Sequence, residues 1–92
     1  MAKKLKKHWE VYIIETLGGR LYTGISTDVE RRFKQHQSGK GGARFFKIDP
    51  PMQIRYREVC RDRSMALKRE AQIKRLKRSE KVMLIMNSQT PL

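Results

Sequence analysis

The spacing of apolar residues changes several times along this chain, and each change predicts an element. Over residues 9–16 the side chains Trp9, Val11, Tyr12, Ile13 and Ile14 are aromatic or β-branched, which predicts a strand. Gly18-Gly19 is a hairpin signal, and residues 21–25 read as the returning strand. A two-residue loop there would send Tyr12 and Tyr22 to opposite faces of the sheet. A three-residue loop of Leu17, Gly18 and left-handed Gly19 would pair Tyr12 with Gly24 and put both tyrosines on one face.

The period then becomes helical. Thr27 and Glu30 have the spacing of a reciprocal cap, and Gly39 stands where a left-handed terminator is wanted, so a helix is expected over residues 28–38. Residues 39–51 read as a loop, with Gly41, Gly42 and a Pro50-Pro51 stop. A third strand is expected over residues 52–59, with Met52, Ile54 and Tyr56 alternating against Gln53, Arg55 and Arg57, and Val59 out of phase. Asp62 caps a second helix over residues 63–76 whose apolar sector holds Ala66, Leu67, Ile73 and part of Leu76. Ser79 is expected to cap a short third helix, residues 80–86, with Val82, Met83, Leu84, Ile85 and Met86 as core. Residues 1–8 read as a flexible basic tail, 9–86 as a single domain, and 87–92 as a frayed end. The expected class is α+β, a small three-stranded, mostly antiparallel sheet flanked by helices in the order β-β-α-β-α-α.

Charge narrows the partner. Ninety-two residues with a net charge of +13 and only 38% hydrophobic residues make one small, strongly basic domain. Nucleic acid is the natural partner, because basic side chains gain by releasing counterions from phosphates. No stretch approaches a membrane span, and no helix sets a purely basic face against a purely apolar one. The single cysteine, Cys60, excludes an internal disulfide and reads as a buried thiol. The first residues lack a continuous apolar segment, so a reducing cytoplasm is expected.

The chemistry lies where the pattern is broken. Positions 29, 32, 33 and 36 share one helical face; Val29 and Phe33 suit a core, whereas Arg32 and His36 do not. Glu70 falls between Ala66, Leu67 and Ile73, inside the buried sector of the second helix, where a carboxylate is expensive unless paired. With the Tyr12 and Tyr22 hydroxyls these are the parts of a phosphodiester hydrolase. Glu70 offers a hard oxygen ligand suited to Mg2+. Arg32 offers a guanidinium for charge growing on phosphate oxygens. A tyrosine could take a proton from the attacking water if a nearby cation lowered its pKa, and His36 could relay that proton or hold a phosphate. Each has a plainer reading: Arg32 snorkelling to an acid, His36 structural, Glu70 paired with Lys74, the tyrosines ordinary strand aromatics. In the loop, Lys40, Arg44 and Lys47 with Phe45 and Phe46 suit contact with a nucleic-acid backbone and bases. An ordinary connection whose phenylalanines lid the core suits them equally.

The stretches VYI at 11–13, YTG at 22–24 and DVERRFKQH at 28–36 resemble the GIY-YIG nuclease domain, and most of all its small stand-alone bacterial members, over about residues 9–85. The resemblance favours the three-residue hairpin loop and agrees with the order of elements. It implies single-metal hydrolysis of DNA, with Mg2+ or Mn2+ as cofactor, Glu70 as metal ligand and Tyr12, Tyr22, Arg32 and His36 as catalytic residues. Gly24, Lys40, Arg44, Lys47 and Lys74 are candidate substrate contacts. Glu10 and Val11 replace a glycine and an isoleucine of the motif, Thr23 stands in the middle of its second half, and Asn87 is an insecure match for a C-terminal asparagine. The expected function is a metal-dependent DNA endonuclease in repair or recombination, acting alone or with a repair-complex partner. The competing expectation is a non-catalytic RNA- or ribosome-associated module. With no recognition helix or zinc finger appended, base-specific readout is not expected.

Overall fold

A computed structural model describes residues 8–39, 41 and 43–89. Strands β1 (Trp9–Thr16) and β2 (Leu21–Ser26) form the expected hairpin. The Thr16 N–H donates to the Arg20 carbonyl at 2.9 Å and the Gly19 N–H to the Thr16 carbonyl at 3.0 Å, which leaves Leu17, Gly18 and Gly19 as the loop. Gly19 has φ +84, a left-handed conformation a side chain would strain. The register therefore sets Tyr12 opposite Gly24 and Ile14 opposite Tyr22, and both tyrosines join one face.

Helix α1 (Val29–Ser38) ends on left-handed Gly39, as expected, but its start is capped differently. The Asp28 carboxylate accepts from the Arg31 N–H at 3.2 Å. Glu30 does not reach back to Thr27; it turns to Arg57 instead, because the guanidinium on the neighbouring strand is the stronger partner. A short helix α2 (Phe45–Ile48) lies within what reads as loop.

Strand β3 (Pro51–Cys60) pairs antiparallel with the far side of β1, giving the order β2-β1-β3. Ile13 pairs with Tyr56 and Ile14 with Ile54, so Arg55 is an extra residue in the ladder. This bulge reverses the phase, putting Ile54 and Tyr56 on opposite faces rather than the shared face expected. A second irregularity skips Met52, between Gln53 opposite Glu15 and Pro51 opposite Thr16, and Met52 stands exposed.

Helix α3 (Arg63–Arg75) starts as expected on Asp62, which accepts from the Met65 N–H at 2.9 Å, and stops one residue before Leu76. Helix α4 (Arg78–Gln89) begins earlier than expected, with Ser79 inside it, and runs beyond Met86. The Glu80 carboxylate accepts from the Lys77 N–H at 2.7 Å and closes its first turn. Among the described residues of α4 only Ile85 is buried and Leu84 packs partly against the core; Val82, Met83 and Met86 are exposed, because the helix packs at the edge strand β3 and presents one face to it. Leu67 is likewise half out of the expected sector.

The core has two halves, one on each side of the sheet. Val11, Ile13, Tyr56, Cys60, Ala66, Ile73 and Ile85 fill the side covered by α3 and α4. Tyr12, Ile14, Val29 and Phe46 fill the side covered by α1 and α2.

Candidate functional site

The second side gathers most of the residues that break the sequence pattern. Tyr12 projects from the middle of β1, and His36 comes down from the last turn of α1. The Tyr12 hydroxyl and His36 Nε2 are 3.2 Å apart, and the Ala43 N–H donates to His36 Nδ1 at 2.9 Å. Tyr22 meets the imidazole edge-on, with ring centroids 5.5 Å apart. Phe46 closes the cluster at 4.6 Å from Tyr22 and 4.4 Å from His36. Of the two readings of these phenylalanines, lidding the core describes Phe46. Phe45 is half-buried, with the Arg20 guanidinium 4.4 Å over its ring.

Gly24 is explained by its neighbour. A Cβ there would stand 2.6 Å from the Tyr12 hydroxyl and 2.8 Å from the ring carbon that bears it. The missing side chain is the seat of Tyr12, so the plainest function of Gly24 is steric rather than substrate contact.

Arg32, half-buried and one turn before His36, donates from Nη1 to Gln35 Oε1 at 2.9 Å and to the Gly41 carbonyl. The loop after α1 thus holds both residues, accepting from Arg32 at Gly41 and donating to His36 at Ala43. A shallow cleft lined by Ser26, Thr27, Asp28, Arg31, Arg32 and Gln35 opens beside the guanidinium.

Burial dominates the electrostatics. The Tyr12 hydroxyl is pushed up to about 12, first by burial and next by Tyr22, with Arg32 opposing and Glu70 adding a small rise. This corrects the expectation of a lowered tyrosine for Tyr12: the cation is beside it but is outweighed by lost hydration. His36 is pulled down to about 4, by burial first and the Arg32 charge second, so the ring is neutral at pH 7.

Glu70 comes from the other side of the sheet, on α3, which also packs against β2. Its side chain is 20% exposed and lies 3.4 Å from Lys74 Nζ, a long ion pair in which the carboxylate keeps acceptor capacity. Among the described residues no group of three or more His, Cys, Asp or Glu gathers. A single carboxylate with spare acceptor capacity is the kind of ligand used by a cation that keeps most of its waters. Arg44 and Lys47 are exposed at the two ends of α2, Lys74 is exposed, and Lys40 lies outside the described residues.

Two features escaped the sequence reading. Asp49 accepts from the Thr16 hydroxyl at 2.5 Å, the Gly18 N–H at 2.9 Å and Arg20 Nε at 2.9 Å, which locks the β1–β2 turn to the chain entering β3. Those donors, led by Thr16, hold its carboxyl below the usual value. Arg57 binds Glu10 through two bonds of 2.9 and 2.8 Å and also reaches Glu30, tying β3, β1 and α1 together. Glu10, conspicuous as a replacement for a motif glycine, therefore has a structural partner. The only hint in the sequence was an acid before two prolines in one case and an acid within a strand in the other.

A cleft of about 450 Å3 lies between β3 and α3 around Val59, Met65, Lys68 and Arg69, and includes none of these candidate residues.

The model for the GIY-YIG catalytic domain matches residues 8–83, and the chain belongs to this nuclease family. It is 46% identical over 81 residues to a UPF0213 protein of Desulfotalea psychrophila, covering 88% of this chain and 74% of that one. The UPF0213 protein YhbQ of Escherichia coli is 42% identical over 80 residues, covering 87% and 79% of the two chains. The solution structure of a UPF0213 protein from Bacillus halodurans superposes with a TM-score of 0.57 at 34% identity, covering 94% of this chain and 89% of that one. A family of nucleases implies a nucleic-acid substrate. Among the described residues no helix is long and apolar enough to cross a membrane.

Proposed function

We propose that this chain is a divalent-metal-dependent endonuclease that hydrolyses DNA phosphodiester bonds in repair or recombination in the cytoplasm. The observation that carries the reading is the meeting of Tyr12 and Tyr22 with His36 on one face, one helical turn from Arg32. A bare binding module needs none of these groups in register.

In this reading Arg32 stays held by the Gly41 carbonyl through Nη1 and turns its remaining N–H donors to an oxygen of the scissile phosphate, where a planar donor fork favours the crowded, doubly charged transition state. Tyr22, half-buried where Tyr12 is covered, is the tyrosine open to the attacking water. Glu70 would hold Mg2+ or Mn2+, and the chemistry such an ion supplies there is neutralisation of charge on the phosphate oxygens. Arg44, Lys47 and Lys74, exposed and cationic, guide the DNA backbone. The reaction needs no sequence readout, because these contacts go to phosphates.

The test is a cleavage assay over labelled flaps, branched DNAs, damaged duplexes and RNA, with Mg2+ and Mn2+. Nicking that vanishes in EDTA and in Arg32→Ala and Glu70→Ala, with binding retained, is the expected result. Salt-sensitive binding without cleavage of any form would leave a nucleic-acid-binding module and end the nuclease reading for the isolated chain.

A further inference from the structure

His36 has one neighbour that decides what the ring can do. The Ala43 N–H can only donate, and it meets Nδ1 at 2.9 Å, so Nδ1 carries its lone pair. A neutral imidazole has a single N–H, which is then on Nε2, facing the Tyr12 oxygen at 3.2 Å. The ring donates and the hydroxyl accepts. The proton on Tyr12 must therefore point elsewhere. Arg32, beside the hydroxyl, has donors only and cannot receive it. Among the described residues no other group accepts from this hydroxyl. Tyr12 is almost fully buried, and a covered donor without an acceptor is costly until something supplies one.

The geometry points to a one-directional chain of donors, from the Ala43 backbone through His36 to Tyr12, which ends as a neutral hydrogen-bond donor to a phosphate oxygen beside Arg32. His36 is the positioning residue that sets the direction. This rests on the nuclease reading and deepens it. Each bond polarises the next, so the backbone N–H strengthens the last donor. The ring near neutrality and Tyr12 at about 12 are both in the protonation states the chain needs at pH 7. The same loop accepts from Arg32 at Gly41, so one segment aligns both donors toward a single anionic oxygen. The opposite direction, with Tyr12 giving its proton to His36, would need a bare Nε2, which the Ala43 contact forbids.

The direct experiment is a long-range 1H–15N spectrum of the full wild-type chain near pH 7. A protonated Nε2 and an unprotonated Nδ1 are expected for His36, and a protonated Nδ1 overturns the proposal. The cleavage assay gives an independent reading. His36→Ala and Tyr12→Phe are each expected to lose about 100-fold in rate, the scale of one transition-state donor. His36→Gln keeps an N–H at the far position and recovers at least about tenfold of that loss. Should His36→Gln fall as far as His36→Ala, the ring must be accepting a proton that an amide cannot take, and the direction proposed is wrong. Should the wild type cut no DNA, the nuclease reading fails by itself, and the spectrum still decides the direction of the chain.

Discussion

The two faces of the sheet are built from adjacent residues of the same strand and obey different rules. Val11 and Ile13 point to the α3–α4 side, where the buried neighbours include Ala66, Ile73 and Ile85. Tyr12 and Ile14 point to the α1–α2 side, where the neighbours include Tyr22, Phe46 and the buried His36. On the first side, burial is rewarded chiefly by area, and the polar groups, the Tyr56 hydroxyl and the Cys60 thiol, find Glu58 at the edge of the cluster. On the second, every buried polar atom needs a partner, so backbone groups such as the Ala43 N–H and the Gly41 carbonyl are drawn in. One face holds the domain together. The other uses that rigidity to hold a site.

Neighbouring substitutions on β1 should separate those roles. Ile13 is completely buried, and Ile13→Ala is expected to cost about 3–4 kcal/mol, a large share of the stability of so small a domain. Denaturant unfolding measures it, and the DNA-cleavage rate of the molecules still folded should be little changed. Tyr12→Phe is the converse: about 1 kcal/mol in stability, from one long hydrogen bond, with the loss appearing in cleavage. Equal stability losses in the two variants would mean that the faces do not divide the labour this way.

Gly24→Ala attacks the site face without touching a functional group. The new methyl would sit within 3 Å of the Tyr12 hydroxyl and its ring carbon, so the ring must shift off its seat. Overpacking of this kind costs about 1–3 kcal/mol. Cleavage should fall along with the His36–Tyr12 contact, visible as a change in the His36 ring resonances. Normal activity in a stable Gly24→Ala chain would show that Tyr12 has room the packing denies it.

Asp49→Asn tests the link between the faces, because this carboxylate ties the hairpin loop to β3 from outside both cores. Its folded pKa lies below the ordinary value of 3.8, so its stabilisation is fully present above that value. It fades as pH falls through 3.8 and toward the folded pKa. The wild type should therefore melt higher than Asp49→Asn at neutral pH, with the gap narrowing on acidification below about pH 4. A gap that widens in acid would reverse the sign of the argument.

Legibility followed the same division. The hairpin, α1 and α3 were readable because caps, glycines and apolar spacing act within a few residues. Arg32, His36 and Glu70 were conspicuous because each violates the local pattern of its helix. What escaped depends on contacts distant in sequence. The bulge at Arg55 is set by how β3 pairs with β1, and the single turn of α2 is held by Phe46 packing on Tyr22 and His36. Asp49 finds its donors about 30 residues upstream, and no periodicity announces such a bond. The apolar run at 82–86 overstated the core, because a helix at the rim can bury only one face however many apolar residues it carries.

The smallest effect expected is the most discriminating for the carboxylate. Lys74 is more than half exposed and stands 3.4 Å from Glu70, so Lys74→Ala should change stability by no more than about 0.5 kcal/mol. The consequence lies in metal demand. If Lys74 competes with a cation for Glu70, removing it should lower the magnesium concentration for half-maximal cleavage by a few-fold while the maximal rate holds. If Lys74 instead guides the DNA backbone, magnesium demand stays put and DNA affinity falls, more at low salt than at high. The two outcomes move different measurements, so this one variant tells whether the ion pair on α3 belongs to the site or to the surface that delivers substrate to it.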